Sequence, residues 1–454
     1  MENNQYIQEL MTKARLAQKE VANYTQEQAD ALVRAIGKVI YDNAEILARE
    51  AIDETRMGVY EDKVAKNMGK SKVIWNNLKD KKSVDIINED KEKGLIFVAK
   101  PKGVIGAITP TTNPIVTPMC NSMFAIKGRN AIIVAPHPRS KKCSAHAVEL
   151  MNGEIKKLGG PDNLIQIIEE PSVELTQLLM SAVDAVVATG GMPMVKSAYS
   201  SGKPAYGVGA GNVQVMVDRD IDYIEAAKNI IAGRKFDNGI ICSGEQTVIA
   251  PAEKYDEVIK AFVDNGAYYI DDEAEIEKFR NVLFINGTIN GKVVGQSVQF
   301  IASLAGVKVP EETKVVLLKA KGIGVEDVLC KEKMCPFMAT FKYETFEEAV
   351  HIAKTNLLYE GAGHSAALHS NNREHIEYAG KILPVSRLVL NQPCSTGAGG
   401  SFFNGFAPST TLGCGSWGNN SISENFDYHH LINISRIGYY NKDAKVPTPE
   451  EIWG

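Results

Sequence analysis

The sequence predicts an α/β fold with two doubly wound domains and an arm projecting from the first, and three observations carry that expectation. A chain of 454 residues exceeds the roughly 250–300 at which a single core stops growing, so it divides. Short apolar runs at Val104–Ile108, Ala131–Ala135, Leu164–Ile168, Ala185–Ala188 and Val213–Val217 are mostly separated by stretches long enough for crossover helices, the spacing of a parallel sheet. A second set begins near Gln246 and includes Val315–Leu318, Ala339–Tyr343, Ala366–His369 and Leu388–Asn391, with a helical pattern at Glu344–Lys354 between two of them.

The remaining segments fit around these sheets. From Gln5 to about Lys79 the pattern is amphipathic and helical, and Thr25-Gln26-Glu27-Gln28 reads as a capping box ahead of Leu32, Val33, Ile36 and Ile40. Residues 82–102 alternate around Gly94 as a hairpin would, and Pro101 and Gly103 punctuate its end. Between Pro393 and Asn425 the chain is rich in Gly, Ser, Thr and Asn. Phe402, Phe403, Phe406 and Trp417 mark this stretch as an ordered loop packed near a site rather than a linker. The expected divisions are 1–225 with the arm at about 82–102, 226–410, and a segment 411–454 that returns to the first domain.

Composition excludes several partners. The net charge of -5 leaves no basic excess for nucleic acid or an anionic membrane surface. No run approaches the roughly 20 apolar residues of a bilayer span, and the polar start Glu2-Asn3-Asn4-Gln5 is unlike a signal peptide. Seven cysteines, odd in number and scattered, suit a reducing compartment, so a cytoplasmic enzyme of small molecules is expected.

One of those cysteines stands out. Asp237-Asn238-Gly239-Ile240-Ile241-Cys242-Ser243 places a thiol after a Gly-containing bend, at the start of the second domain and before the apolar run Thr247–Ala250. Cys330 and Cys335 lack the second Cys or His pair of a zinc site, so no metal is expected.

The Cys242 segment, Thr109-Pro110-Thr111-Thr112-Asn113-Pro114, Glu332-Lys333-Met334-Cys335-Pro336 and Thr411-Leu412-Gly413-Cys414-Gly415-Ser416-Trp417-Gly418 together resemble the aldehyde dehydrogenase superfamily, especially its coenzyme A-acylating branch. The resemblance runs nearly end to end. It implies an aldehyde dehydrogenase-like fold of two Rossmann-like α/β domains, one nucleotide-binding and one carrying the catalytic thiol, with an oligomerisation arm. It implies a homodimer or a dimer of dimers, small-molecule substrates, NADP or NAD as cofactor, and coenzyme A as co-substrate.

Residue by residue, the resemblance makes Cys242 the nucleophile, Asn113 an oxyanion donor and His364 a catalytic group for the coenzyme A step. Thr109, Pro110, Thr111, Thr112, His137, Pro138, Arg139, Thr189, Gly190 and Gly191 become cofactor contacts, with Gly207, Val208, Gly209, Glu332 and Met334. Arg139, Lys141 and Lys142 are cations that would suit a 2′-phosphate, or a solvated face. Gly207-Val208-Gly209-Ala210-Gly211 leads into a strand and so is no ordinary dinucleotide fingerprint. Hydrolytic relatives carry a water-activating Glu in that segment, where this chain has Tyr206-Gly207-Val208; Glu245 is the alternative carboxylate. Without such a base an acyl-enzyme survives until a thiol attacks it.

Lys70 and Ser243 depart from acetaldehyde-forming relatives. A cation and a hydroxyl would replace the hydration of a distal carboxylate, which with close resemblance to acylating succinate-semialdehyde dehydrogenases points to succinate semialdehyde and succinyl-coenzyme A. Arg387 is a second candidate cation. The alternatives are acetaldehyde or another short aldehyde, and a hydrolytic enzyme.

Overall fold

The computed structural model describes residues 2–454. Four helices form an outer layer: α1 (Glu2–Val21), α2 (Gln26–Asp42), α3 (Ala44–Thr55) and α4 (Tyr60–Leu78). The capping box at the start of α2 is formed, Gln28 N donating to the Thr25 hydroxyl and Thr25 N to the Gln28 side chain. Leu32, Val33, Ile36 and Ile40 behind it are buried against the first sheet's helices, each contributing roughly 1.5–3 kcal/mol. Helix α4 differs, because its buried face carries Lys63, Lys66, Asn67 and Ser71 beside Val73, Ile74 and Leu78. The spacing 63, 66, 70, 74 lines one helical stripe, and that stripe meets the site.

The predicted arm is a hairpin of β1 (Asp85–Asp90) and β2 (Leu95–Pro101), turning at Gly94 with φ +62°. Strands β3 (Val104–Ile108), β4 (Ala131–Ala135), β5 (Ile165–Ile167), β6 (Ala185–Thr189) and β7 (Ala205–Val208) form a parallel sheet of order β5-β4-β3-β6-β7. The second parallel sheet contains β8 (Gln214–Val217), β9 (Thr247–Pro251), β10 (Ala267–Ile270), β13 (Val315–Lys319), β14 (Phe337–Tyr343), β15 (Gly363–His369) and β16 (Val385–Leu390). A small ladder of β11 (Phe284–Ile285) and β12 (Thr288–Ile289) lies outside it. The final strand β17 (Ile432–Gly438) returns to pair with β2 from Ile432↔Pro101 to Gly438↔Leu95, completing a three-stranded antiparallel sheet.

The run Val213–Val217 corrects one expectation. Sequence spacing groups it with the first sheet, whereas β8 pairs with β15 and β9 in the second, within the order β10-β13-β14-β9-β8-β15-β16. The reason is length: a parallel neighbour needs a crossover of about a dozen residues or more, and residues 209–213 are too few. The chain therefore steps between sheets there. Loops from the carboxyl ends of β3, β4 and β6 converge on the first sheet's crevice, where open α/β sheets place ligands.

Candidate active site

The nucleophile turn is bent by three consecutive residues in the left-handed region, Asp237 (φ 52°), Asn238 (φ 53°) and Gly239 (φ 69°). Two of these carry side chains, at a cost of about 1–3 kcal/mol each. Their contacts offset it. Asp237 Oδ1 accepts from Val59 N at 2.9 Å, and Oδ2 takes the ammonium groups of Lys63 at 3.0 Å and Lys66 at 2.6 Å. Asp237 N donates to Asp62 at 2.8 Å, and Asn238 Nδ2 to Gly295 O at 3.1 Å.

Cys242 follows this turn, and of the seven free cysteines it is the one not classed as buried. Its carbonyl packs so closely on Gly211 that a Cβ there would lie 1.8 Å from the oxygen. Burial first, and Glu332 second, push the thiol up to about 12, while the Arg387 charge works the other way. The resting thiol is therefore protonated near neutral pH, and its proton leaves only in a changed electrostatic setting.

Cys242 opens onto a cavity of about 360 Å³ that also brings together Lys70, Asn113, Ser243, Phe402 and Phe403. Lys70 Nζ donates to Gly399 O at 2.8 Å and Ser409 O at 3.2 Å, and burial lowers it to about 8. An ammonium has three hydrogens, so one is left over from the carbonyls. The Asn113 Oδ1 accepts from Lys66 Nζ at 2.7 Å. Ser243 is less available than expected, because its hydroxyl donates to Ser395 O at 3.1 Å, which leaves only its lone pairs for the cavity. The aromatic residues behave as the loop reading predicts: Phe402 and Phe403 stand at the mouth.

Arg387 requires correction. It does not line this cavity; Nε donates to Ser365 Oγ, Nη1 to Asn425 Oδ1, and Nη2 to both His364 O (2.7 Å) and Gly413 O (2.8 Å). Its donors are committed to tying β15 and β16 to the glycine turn at 413. His364 is fully buried with Nδ1 3.1 Å from Ser365 Oγ and Nε2 without a partner among the described residues. Its Cε1 is 3.4 Å from the place a Gly211 Cβ would occupy, so it sits behind the Cys242 carbonyl. Burial, then Arg387, lower it to about 3, and it is neutral at physiological pH.

A second cavity of about 130 Å³ gathers Thr109–Pro110, His137–Pro138 and Thr189–Gly191 at the ends of β3, β4 and β6. A Cβ added at Gly190 would meet nothing within 4 Å, so the backbone there is open to a pyrophosphate. These residues fit a dinucleotide. Thr111 and Thr112 belong to the Asn113 loop and line neither cavity, and the Thr112 carbonyl lies 3.5 Å from Lys66 Nζ. Arg139 is outside the cleft as well, its Nη2 donating to Thr55 O at 3.1 Å, and Lys141 is paired with Glu170.

Four further residues expected at the cofactor, Gly207, Val208, Gly209 and Met334, have other contacts in the fold. Gly207 gives both its N–H and its carbonyl to the Tyr199 hydroxyl, and Gly209 packs on the Met192 thioether, so Gly207, Val208 and Gly209 serve the contact with the helix Met192–Tyr199. Met334, with φ 38°, packs beside Met57, Ile240 and Val294 instead of the cleft. Glu332 remains near the nucleophile, accepting from Gly211 N at 3.3 Å, and burial raises it to about 8. Glu245 is fully buried, accepts from Cys394 N and lines neither cavity.

Sequence reasoning missed Lys63, Lys66, Asp237 and Gly211. Lys63 and Lys66 have no local sequence feature that marks them, and the available signal was their shared face on α4 with Lys70.

Comparison with known proteins follows the same lines. The description "Aldehyde dehydrogenase family" matches residues 2–270. The chain is 66% identical over 454 residues, covering 100% of both chains, to the succinate-semialdehyde dehydrogenase (acetylating) of Clostridium kluyveri. It is 42% identical over 447 residues, 97% of this chain and 92% of the other, to a sulfoacetaldehyde dehydrogenase of an Acholeplasma species. The crystal structure of an acetylating aldehyde dehydrogenase from Geobacillus thermoglucosidasius superposes with a TM-score of 0.95 at 34% identity, covering 98% of this chain and 99% of that one.

Proposed function

The chain belongs to the aldehyde dehydrogenase family, and from that premise we propose that it interconverts succinate semialdehyde plus coenzyme A and succinyl-coenzyme A through a thioester on Cys242. The observation that carries the reading is one cavity lined by Cys242, Asn113 and Lys70. In the oxidative direction the Cys242 thiol gives its proton to water in the cavity, its sulfur attacks the aldehyde carbon, and the Asn113 N–H with the Cys242 backbone amide receives the negative oxygen. Thr189–Gly191 would hold NADP or NAD, which would supply the hydride acceptor. Cys242 then holds the acyl group, the coenzyme A thiol gives its proton to water while neutral His364 accepts a hydrogen bond from it, and thiolate attack on the acyl carbon releases Cys242. No metal takes part in this scheme.

Lys70 selects the substrate. Its unused hydrogen faces a site partly stripped of water, where a charge-assisted bond to a distal carboxylate contributes about 1.5–3 kcal/mol, or about 10- to 150-fold. Relatives named for succinate semialdehyde and sulfoacetaldehyde, both ending in an anionic group, support this preference. Acetaldehyde offers Lys70 no partner. A hydrolytic outcome lacks a base, since Glu245 is turned to Cys394 N.

Exposed Ile434, Ile437, Tyr439 and Tyr440 on and after β17 support a homodimer or a dimer of dimers, read out by light scattering. No helix among the described residues is long and apolar enough to cross a membrane, and free cysteines support a cytoplasmic setting. The deciding assay supplies succinate semialdehyde, butyraldehyde or acetaldehyde with NADP or NAD, with and without coenzyme A. Succinyl-coenzyme A formed only with coenzyme A is the expected product; stoichiometric free succinate without it overturns the reading.

A further inference from the structure

Among the described residues, Lys66 is the one side chain that bonds both the Asn113 loop and the turn before Cys242. Its Nζ donates to Asn113 Oδ1 at 2.7 Å and to Asp237 Oδ2 at 2.6 Å, and lies 3.5 Å from Thr112 O. An ammonium has no lone pair, so the amide atom facing it is the oxygen and Asn113 Nδ2 is turned the other way. Asn113 lines the Cys242 cavity, and its Nδ2 has no protein acceptor among the described residues. Lys66 thereby assigns the donor end of the amide to the reaction side.

The surroundings make this a built arrangement. Lys66 is 9% exposed and comes from α4, while its acceptors come from the loop after β3 and the turn before Cys242. Asp237 is held in turn by Lys63 at 3.0 Å and by Val59 N at 2.9 Å. Two ammonium groups share the Asp237 carboxylate, and the charge-assisted bond from Lys66 to the amide oxygen polarises the N–H toward a stronger donor. The left-handed backbone at Asp237 brings its carboxylate to α4.

We propose that Lys66 is the residue that positions the oxyanion hole: it orients the Asn113 amide with N–H toward the Cys242 cavity and ties that loop to Asp237, five residues before the nucleophile. The proposal rests on the reading of Cys242 as nucleophile and Asn113 as oxyanion donor. Lys66 acts through Asn113 and touches no reacting atom, so it is a positioning residue.

The test is a double-mutant cycle on the full chain, read as the single-turnover rate of NADPH or NADH formation from succinate semialdehyde, with thermal melting in parallel. Removing one oxyanion donor costs about 10²–10³-fold, so Lys66→Met is expected to slow the step about 10- to 100-fold with the aldehyde KM moving less than about threefold. Lys66→Gln, which keeps a donor without the charge, is expected to recover part of the rate. Lys66→Met added to Asn113→Ala is expected to cost little beyond Asn113→Ala alone. Lys63→Met also strips a cation from Asp237 but leaves Asn113 untouched, and is expected to lower melting more than rate. Full additivity of the Lys66 and Asn113 effects, or a loss confined to KM, overturns the proposal while sparing the mechanism. An unchanged rate in Asn113→Ala overturns both. Where Lys66→Met does not fold, Lys66→Gln takes its place in the same cycle with the same criteria.

Discussion

On the side of Cys242 that faces α4, Lys63, Lys66 and Lys70 stand within eight residues, and Asp237 is bonded to two of them. On the side that faces β15 and β16, Arg387 is committed to hydroxyl, amide and carbonyl oxygens, and its titratable neighbours include His364, lowered to about 3, with Glu332, raised to about 8, acting on the thiol as well. One wall thus presents ammonium groups, and the other a guanidinium whose hydrogen bonds go to protein oxygens together with two groups that are neutral at pH 7. The difference matches the two halves of the reaction. On the proposed mechanism the acyl half develops an oxyanion and takes a carboxylate, whereas the transfer half moves a proton beside neutral His364.

Removing the atom between the walls has the largest effect. Cys242→Ala is expected to lower acyl transfer by about 10⁴-fold or more while nucleotide binding, followed by fluorescence titration, is retained. Retained turnover breaks the comparison at its centre.

Next comes the wall that holds His364. His364→Ala is expected to slow the coenzyme A-dependent step about 10²–10³-fold and leave the first burst of reduced nucleotide nearly intact, as rapid-mixing kinetics would resolve. Because His364 titrates near 3, the wild-type rate has no limb from this residue between pH 5 and 9. A burst that falls in parallel assigns His364 to the acyl half instead.

Gly211→Ala probes the packing that joins the walls. Its Cβ would lie 1.8 Å from the Cys242 carbonyl oxygen and 2.8 Å from the carbon, both rigid backbone atoms, so the nucleophile must shift. Displacements of about 1 Å at a reacting atom cost about 10²-fold in kcat, with melting lowered as well. Wild-type kcat would mean that the turn is compliant.

The smallest effect is selective. Lys70→Ala is expected to lower kcat/KM for succinate semialdehyde about 10- to 150-fold and leave butyraldehyde nearly unchanged. Lys70 is charged below about pH 8 and neutral above it, so affinity for the anionic aldehyde falls as pH rises through 8, with no matching step for butyraldehyde. Equal losses for the two aldehydes would remove the carboxylate anchor from the wall of ammonium groups.

The sheets were legible because parallel strands buried on both faces read as apolar runs, and β3, β4 and β6 fall where those runs are. Run spacing does not reveal which sheet a strand joins, and β8 was misplaced for that reason until connection length was considered. In the site, Cys242, Asn113 and Lys70 do share a cavity. What sequence could not supply was the fate of long cationic side chains, which depends on partners far along the chain. Nothing local marks Lys63 and Lys66, because Asp237 lies 174 and 171 positions away. Arg387 looked like a substrate cation because nothing local shows that Gly413 and His364 carbonyls consume its donors.

That Cys242 is the one partly exposed residue among seven free cysteines has a practical meaning for anyone handling the protein. Because burial holds its thiol protonated near neutral pH, a small alkylating reagent is expected to react slowly with the native chain, and at Cys242 before the other six. The other six thiols become reactive only when their segments open, and they are spread through both sheets' domains and the closing glycine-rich loop. Their order of labelling under rising denaturant would therefore serve as a built-in map of which regions loosen first.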